Sequence, residues 1–153
     1  MSAFNSQRGV AGATKTKTKK LFTVDQANRA LILVRKIVFD ILDDYAQLTD
    51  LQETTEAAQQ SGEYDRAQRA QNQLIEAVER IQDYVEELDE VGVDLKDWTL
   101  GVVDFPSIAD GREVALCWQA GESEVAHWHE VDQESCRQPL ETLPVAYAVS
   151  VLR

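Results

Sequence analysis

The side chains best suited to chemistry in this 153-residue chain lie between Val102 and Glu130. This segment contains both histidines, His127 and His129, together with Cys117. In a β-strand, residues i and i+2 point to the same face, so the two imidazoles would point the same way. Together with Glu130 they form a candidate set of metal ligands, which nearby carboxylates or Cys117 could complete. The alternative is a half-exposed polar strand face, which is the more common use of two histidines on one strand.

A second group of ionisable residues lies at predicted strand ends and turns: Asp104, Arg112, Glu122, His129 and Arg137. If they converge on one pocket, His129 would act as base or ligand, and the arginines would clamp an anion. The alternative is a structural network in which Arg112 pairs with Asp104 or Glu122 and holds two turns together. The two interpretations differ in whether the five side chains line one cavity or form separate ion pairs.

The two cysteines indicate a reducing compartment, because small domains that depend on disulfides usually carry more than two. A disulfide between Cys117 and Cys136 is the minor alternative. Cys117 lies between Leu116 and Trp118 in a predicted strand, which predicts a buried and inert thiol. Cys136 lies in a polar stretch beside Arg137, a cation that would lower its pKa, and it is the candidate reactive thiol.

The elements that position these residues begin with a long helix. Thr23 is the predicted N-cap and Gln26 completes a capping box. Neither glycine nor proline interrupts the chain from Thr23 to Ser61, and the apolar residues follow a heptad rhythm: Ala27, Leu31, Val34, Val38, Ile41, Tyr45 and Leu48. Ser61-Gly62 marks a break, and a second helix of the same spacing ends near Gly92. The short connection predicts an antiparallel helical hairpin with a thin tip.

After Gly92 the apolar pattern changes to that of short strands. We expect short strands over Val93 to Leu95 and Leu100 to Phe105, with Pro106 ending the second. Two further strands are predicted over Arg112 to Gln119 and Glu124 to Val131, and Asp110-Gly111 is a tight turn. Val145 to Leu152 is a further strand candidate. The predicted fold class is therefore α+β, with a long antiparallel, coiled-coil-like helical hairpin followed by a small, mainly antiparallel sheet.

Three regions follow from this pattern: a disordered basic tail over residues 1–20, the hairpin over 21–91, and a small β subdomain over 92–153 packed on the hairpin base. The net charge is −12, yet residues 1–20 carry five basic residues and no acid, so the remainder carries −17 (−12 − 5). An acidic body repels a phosphate backbone, which disfavours nucleic acid as the main partner.

No apolar run approaches the roughly 20 residues that span a bilayer. The N-terminus also lacks the apolar stretch of a secretory signal. We therefore expect a cytoplasmic protein without a membrane partner.

Several short motifs, in order along the chain, resemble an uncharacterised prokaryotic family, domain of unknown function 2203. They are FTVDQAN at Phe22–Asn28, GVVDFP at Gly101–Pro106, GREVALCWQAGE at Gly111–Glu122 and WHE at Trp128–Glu130, and Arg137-Gln138-Pro139 is similar to the arginine that ends the family pattern. The resemblance runs from about Leu21 to Leu140. It implies fold and compartment but brings no activity, cofactor or substrate. The family usually has another residue at the position of His127, which favours His129 as the functional histidine.

Two functional hypotheses follow. In the first, the chain is a protein-interaction or oligomerisation module that forms a homo-oligomer or binds a partner helix through the hairpin. In the second, the β subdomain holds a small-ligand or metal site, hydrolytic in one version, built from Asp104, Arg112, Glu122 and His129. The sequence names neither a cofactor nor a reaction.

Overall fold

The computed structural model describes residues 20–133 and 137–144 of the chain. Two helices come first, α1 over Val24–Gln60 and α2 over Tyr64–Val91. Five strands follow: β1 (Asp94–Asp97), β2 (Val102–Ala109), β3 (Arg112–Gln119), β4 (His127–Glu130) and β5 (Gln138–Pro139). A 3-10 turn over Leu140–Thr142 comes last. The predicted α+β class, a helical hairpin followed by an antiparallel sheet, is confirmed. The last strand candidate, Cys136 and all but Lys20 of the basic tail lie outside the described residues.

Helix α1 begins at the predicted capping box. The Thr23 hydroxyl accepts a hydrogen bond from the Gln26 backbone N–H at 3.1 Å, and the Gln26 side chain accepts one from the Thr23 N–H at 2.9 Å. These two bonds satisfy backbone donors that have no partner within the helix. The helix then runs for 37 residues, or about 55 Å at 1.5 Å per residue.

The two helices pack against each other as an antiparallel hairpin. Near the tip their contact is made by small residues, and the buried ones are Ala58, Ala67, Ala70 and Ala77. Closer to the middle, Asp44 accepts two hydrogen bonds of 3.0 Å from the Arg80 guanidinium. Helix α2 ends at Gly92, whose φ of 102° is left-handed and favours glycine. No helix among the described residues has an apolar stretch long enough to cross a membrane.

The strands form one antiparallel sheet in the order β1-β2-β3-β4-β5. The tight turn between β2 and β3 lies at Asp110-Gly111 as predicted, and both residues have positive φ, 55° and 76°. Two successive residues of positive φ match the twist of the flanking strands.

Strand β2 does not end at Pro106, as the sequence had suggested, but continues to Ala109. The carbonyl oxygen of Pro106 accepts a 2.7 Å hydrogen bond from the Phe22 N–H. Since the nitrogen and oxygen of one strand residue point to the same side, the proline nitrogen also points away from β3. The missing N–H therefore costs the β2–β3 ladder nothing. Strand β4 is shorter than predicted, beginning at His127 rather than Glu124.

One hydrophobic core lies between the helices and one face of the sheet. Helix α1 contributes Leu31, Val34, Val38 and Ile41, and the sheet contributes Val103, Phe105, Val114, Leu116, Trp118 and Trp128. A second link joins α1 to the loop before β4, where the Asn28 side chain accepts a 2.7 Å hydrogen bond from the Val125 N–H. One face of the sheet thus packs against the hairpin, and the other face carries the polar residues.

Candidate functional site

The face of the sheet that points away from the helices carries most of the predicted site residues, and we call it the polar face. Alternation along each strand places Asp104, Cys117, His127 and His129 on it. The strand register brings them together, because Asp104 lies opposite Cys117 and Cys117 lies opposite His127. Asp104 and His129 are buried there, with exposed fractions of 5% and 2%.

His129 lies between two hydrogen-bond acceptors. Its Nδ1 donates to the backbone carbonyl of Glu130 at 2.7 Å, and its Nε2 lies 3.0 and 3.1 Å from the two carboxylate oxygens of Asp104. The Nδ1 contact requires a proton on that nitrogen, since a carbonyl only accepts. A second proton must then lie between Nε2 and the carboxylate, or a cation must take its place.

Cys117 lies beside this pair. Its thiol is free and buried, and its sulfur, an Asp104 oxygen and a His129 nitrogen all lie within 4.8 Å of one another. Burial raises the pKa of the Cys117 thiol to about 11, and the neighbouring Asp104 adds to the rise. Burial also raises the pKa of the Asp104 carboxyl, although the bond to His129 acts in the opposite direction. The Cys117 thiol therefore retains its proton near neutral pH.

Glu122, Arg137 and His127 form a separate group at the edge of the polar face. The Arg137 guanidinium donates to both Glu122 oxygens, at 2.9 and 3.0 Å, and to His127 Nδ1 at 3.2 Å. Burial alone would raise the pKa of Glu122, but the bonds from Arg137 and from the Gln119 N–H outweigh it and hold this pKa below its usual value. Arg137 also interacts with the sulfur of Cys117, and its buried Nε finds no hydrogen-bond partner among the described residues.

Arg112 and Glu130 form a third group, a 2.9 Å ion pair at one end of the helix-facing side. The network interpretation had expected Arg112 to pair with Asp104 or Glu122. In the structure Arg112 pairs with Glu130 instead. Adjacent strand residues point to opposite faces, so Glu130 lies across the sheet from both histidines. By their hydrogen bonds the five candidate residues fall into three groups, and their role in binding remains a prediction.

A cavity of about 230 Å³ adjoins the buried cluster on its Asp104 side. Besides Asp104, its lining includes Pro106 and Ala115 of the polar face and Asp94, Lys96 and Glu113 near the strand ends. The cavity gives water or a small solute a route to the Asp104 carboxylate.

The sequence predicts a buried and inert thiol at Cys117, whereas the structure places this thiol next to the Asp104–His129 pair. The alternation of β3 shows that Cys117 points away from Leu116 and Trp118. It does not show that Asp104 and His127 are its cross-strand neighbours. Only the register of the three strands shows which side chains lie next to Cys117.

The outward side of α1 carries a second candidate surface. Ile32, Leu33 and Phe39 are large apolar residues that stay exposed, and Ile32 and Phe39 have exposed fractions of 74% and 42%. We call these three residues the outer stripe. Ile32 and Phe39 are seven residues apart and so lie on the same side of the helix, about 10 Å from each other.

Comparisons with known proteins give a family and nothing finer. A family model described as an uncharacterized conserved protein, DUF2203, matches residues 20–140. No curated protein and no solved structure matches the chain significantly.

Proposed function

The chain belongs to the DUF2203 family of uncharacterised conserved proteins, and we propose that its hairpin joins two copies of the chain into a homodimer. The observation that carries this proposal is the outer stripe. Exposed apolar residues are common singly, but several large ones within two turns of a long helix are typical of an interaction site. Burying the stripe against an apolar surface removes it from water, which is the main driving force of association.

A second copy of the same helix fits the charges that flank the stripe. Arg29 lies seven residues before Lys36, and Asp43 lies seven residues after it. If two α1 helices pack antiparallel around a two-fold axis near Lys36, Arg29 of each copy lies opposite Asp43 of the other. The same axis brings Ile32 of one copy within one residue of Phe39 of its partner along the helix. Such a self-complementary contact is the usual arrangement of a two-fold dimer.

We retain a cytoplasmic location as part of this proposal. Cys117 is a free thiol in the fold, and thiols stay reduced in the cytosol. A homodimer of this kind needs neither a cofactor nor a disulfide.

The first test is the mass of the full chain in solution. We expect a dimer for the native chain and a monomer for the double variant Ile32→Glu/Phe39→Glu, because two buried carboxylates without partners oppose association. The matched control is Tyr64→Glu/Ile75→Glu, which places the same charges on two exposed large side chains of α2. The control should remain dimeric.

A charge-exchange series tests the antiparallel arrangement itself. Arg29→Glu alone and Asp43→Arg alone should each weaken the dimer, since each places like charges opposite each other. The double variant Arg29→Glu/Asp43→Arg should restore it, because the opposed pair is re-formed with reversed signs. A native chain that stays monomeric at every concentration would overturn the proposal. A dimer that survives Ile32→Glu/Phe39→Glu would do the same.

A further inference from the structure

We infer that Asp104, Cys117 and His129 form a binding site for one divalent transition metal ion of the Zn²⁺ class. The site lies in the sheet and the outer stripe lies on α1, so this inference does not depend on the proposed dimer. It also differs from the ligand set suggested by the sequence, because His127 and Glu130 are not members of the cluster.

The positions of the ligand atoms suit a tetrahedral ion. One oxygen, one sulfur and one nitrogen lie within 4.8 Å of one another, and the closest oxygen–nitrogen distance is 3.0 Å. Around a tetrahedral Zn²⁺, bond lengths of about 2.0–2.3 Å place ligand atoms roughly 3.3–3.6 Å apart. The cluster therefore reaches metal geometry through shifts of a few tenths of an ångström for the carboxylate and about an ångström for the thiol.

His129 is already held in the state that binds a metal. Its Nδ1 donates to the Glu130 carbonyl, so the ring lies with Nε2 towards the Asp104 carboxylate. In metal sites the second ring nitrogen usually donates to a carbonyl or carboxylate, which fixes both the tautomer and the ring orientation. Here the backbone of β4 supplies that support.

The net charge of the cluster stays the same when two protons are exchanged for one divalent metal ion. A neutral thiol, and one proton shared between Asp104 and His129, can be replaced by a single divalent ion without changing the net charge. This matters because all three residues are buried, and an unbalanced charge in the interior is costly. A thiolate at Cys117 would also be a strong acceptor for Arg137, whose buried Nε lacks a partner among the described residues.

The mixture of ligands selects the metal class. Thiolate and imidazole favour zinc and similar transition metals, whereas Ca²⁺ and Mg²⁺ take six or more oxygen ligands. Three protein ligands leave a fourth position. The cavity beside Asp104 and Ala115 gives that position access to a water molecule.

Cobalt substitution tests this site directly. The purified full chain is stripped of metal, titrated with Co²⁺ and followed by absorption. We expect one equivalent to produce a thiolate-to-cobalt charge-transfer band and the strong visible bands of tetrahedral cobalt. The charge-transfer band should vanish in Cys117→Ser and remain in Cys136→Ser, which is the matched control. Asp104→Asn and His129→Ala should each weaken binding at least tenfold, and His127→Ala should not.

A second measurement distinguishes the loss of metal binding from the misfolding of a variant. Zn²⁺ should raise the melting temperature of the native chain and of Cys136→Ser, and far-UV circular dichroism shows whether Cys117→Ser is folded. The inference is overturned if the native chain binds no stoichiometric Co²⁺ or Zn²⁺. It is equally overturned if the charge-transfer band persists in Cys117→Ser or disappears in Cys136→Ser.

Discussion

At the scale of single residues, the polar face shows how neighbours along the chain acquire different chemistry. His129 and Glu130 are adjacent, yet the first is buried beside Asp104 and the second pairs with Arg112 near solvent. The pleat of β4 separates them to opposite faces. The chemical character of each residue therefore follows from the face on which it lies.

Glu122 gives the clearest pH dependence at this scale. Its pKa in the folded chain lies below the ordinary value of 4.5 because Arg137 and the Gln119 N–H bind the carboxylate. A lowered pKa stabilises the folded state above the unfolded value, and this stabilisation is lost as the pH falls through the folded value. The difference in free energy of unfolding between the native chain and Glu122→Gln should therefore stay constant above about pH 5.5 and shrink as the pH falls below about 4.5.

Urea denaturation at a series of pH values measures this difference. Glu124→Gln removes the same charge from an exposed position on the same loop and serves as the control. Its effect on the free energy of unfolding should be small and should not follow the titration of Glu122. If the two variants show the same pH profile, the Arg137–Glu122 contact does not set the pKa.

At the scale of elements, the hairpin contains a polar link that the apolar pattern did not predict. Asp44 is buried and receives two hydrogen bonds from Arg80 across the helix interface. A buried carboxylate that loses its cation is left without compensation, whereas replacing both partners by apolar residues is often tolerated. The Asp44–Arg80 contact should therefore determine the alignment of the two helices more than it adds to the free energy of unfolding.

A double-mutant cycle tests this role. Arg80→Leu alone should lower the melting temperature clearly, and Asp44→Leu/Arg80→Leu should recover much of the loss. Arg69→Leu, a substitution of an exposed arginine on the same helix, is the control and should have little effect. A double variant less stable than Arg80→Leu alone would show that the pair itself stabilises the hairpin.

At the scale of the whole molecule, the helices and the sheet share one core, so neither can lose its packing alone. Trp118 is fully buried in that core, and its indole N–H donates to the Glu122 carbonyl at 2.9 Å. Trp118→Ala should reduce the free energy of unfolding by about 3–5 kcal/mol, the usual loss when a large buried aromatic residue is removed.

Trp118→Ala should destabilise the helices and the sheet together. Helical circular dichroism and the fluorescence of Trp98 and Trp128 should report one coincident transition, shifted equally. Leu100→Ala, at an exposed position, should change the stability by no more than about 0.5 kcal/mol. Separate transitions for helix and sheet would contradict a shared core, and would favour two independent units at the predicted boundary near residue 91.

The sequence by itself determined the elements of this protein. Capping chemistry at Thr23, the heptad spacing of α1, the glycine at position 92 and the Asp110-Gly111 turn are local signals, and each acts through the backbone within a few residues. They predicted the helical hairpin and the antiparallel sheet, and several short motifs indicated the family. They did not predict that β2 continues past Pro106, since this depends on a hydrogen bond from Phe22, far away along the chain.

Only the tertiary structure decided which chemical groups meet. Asp104, Cys117 and His129 come from three strands, and their contact depends on a register that hairpin loops and the shared core fix together. A shift of one residue in that register would turn each of these side chains to the other face. The segment from Val102 to Glu130 was recognisable from residue types. Its division into a buried cluster, an Arg137 group and an Arg112–Glu130 pair follows from strand pairing and from the loops that carry Glu122 and Arg137.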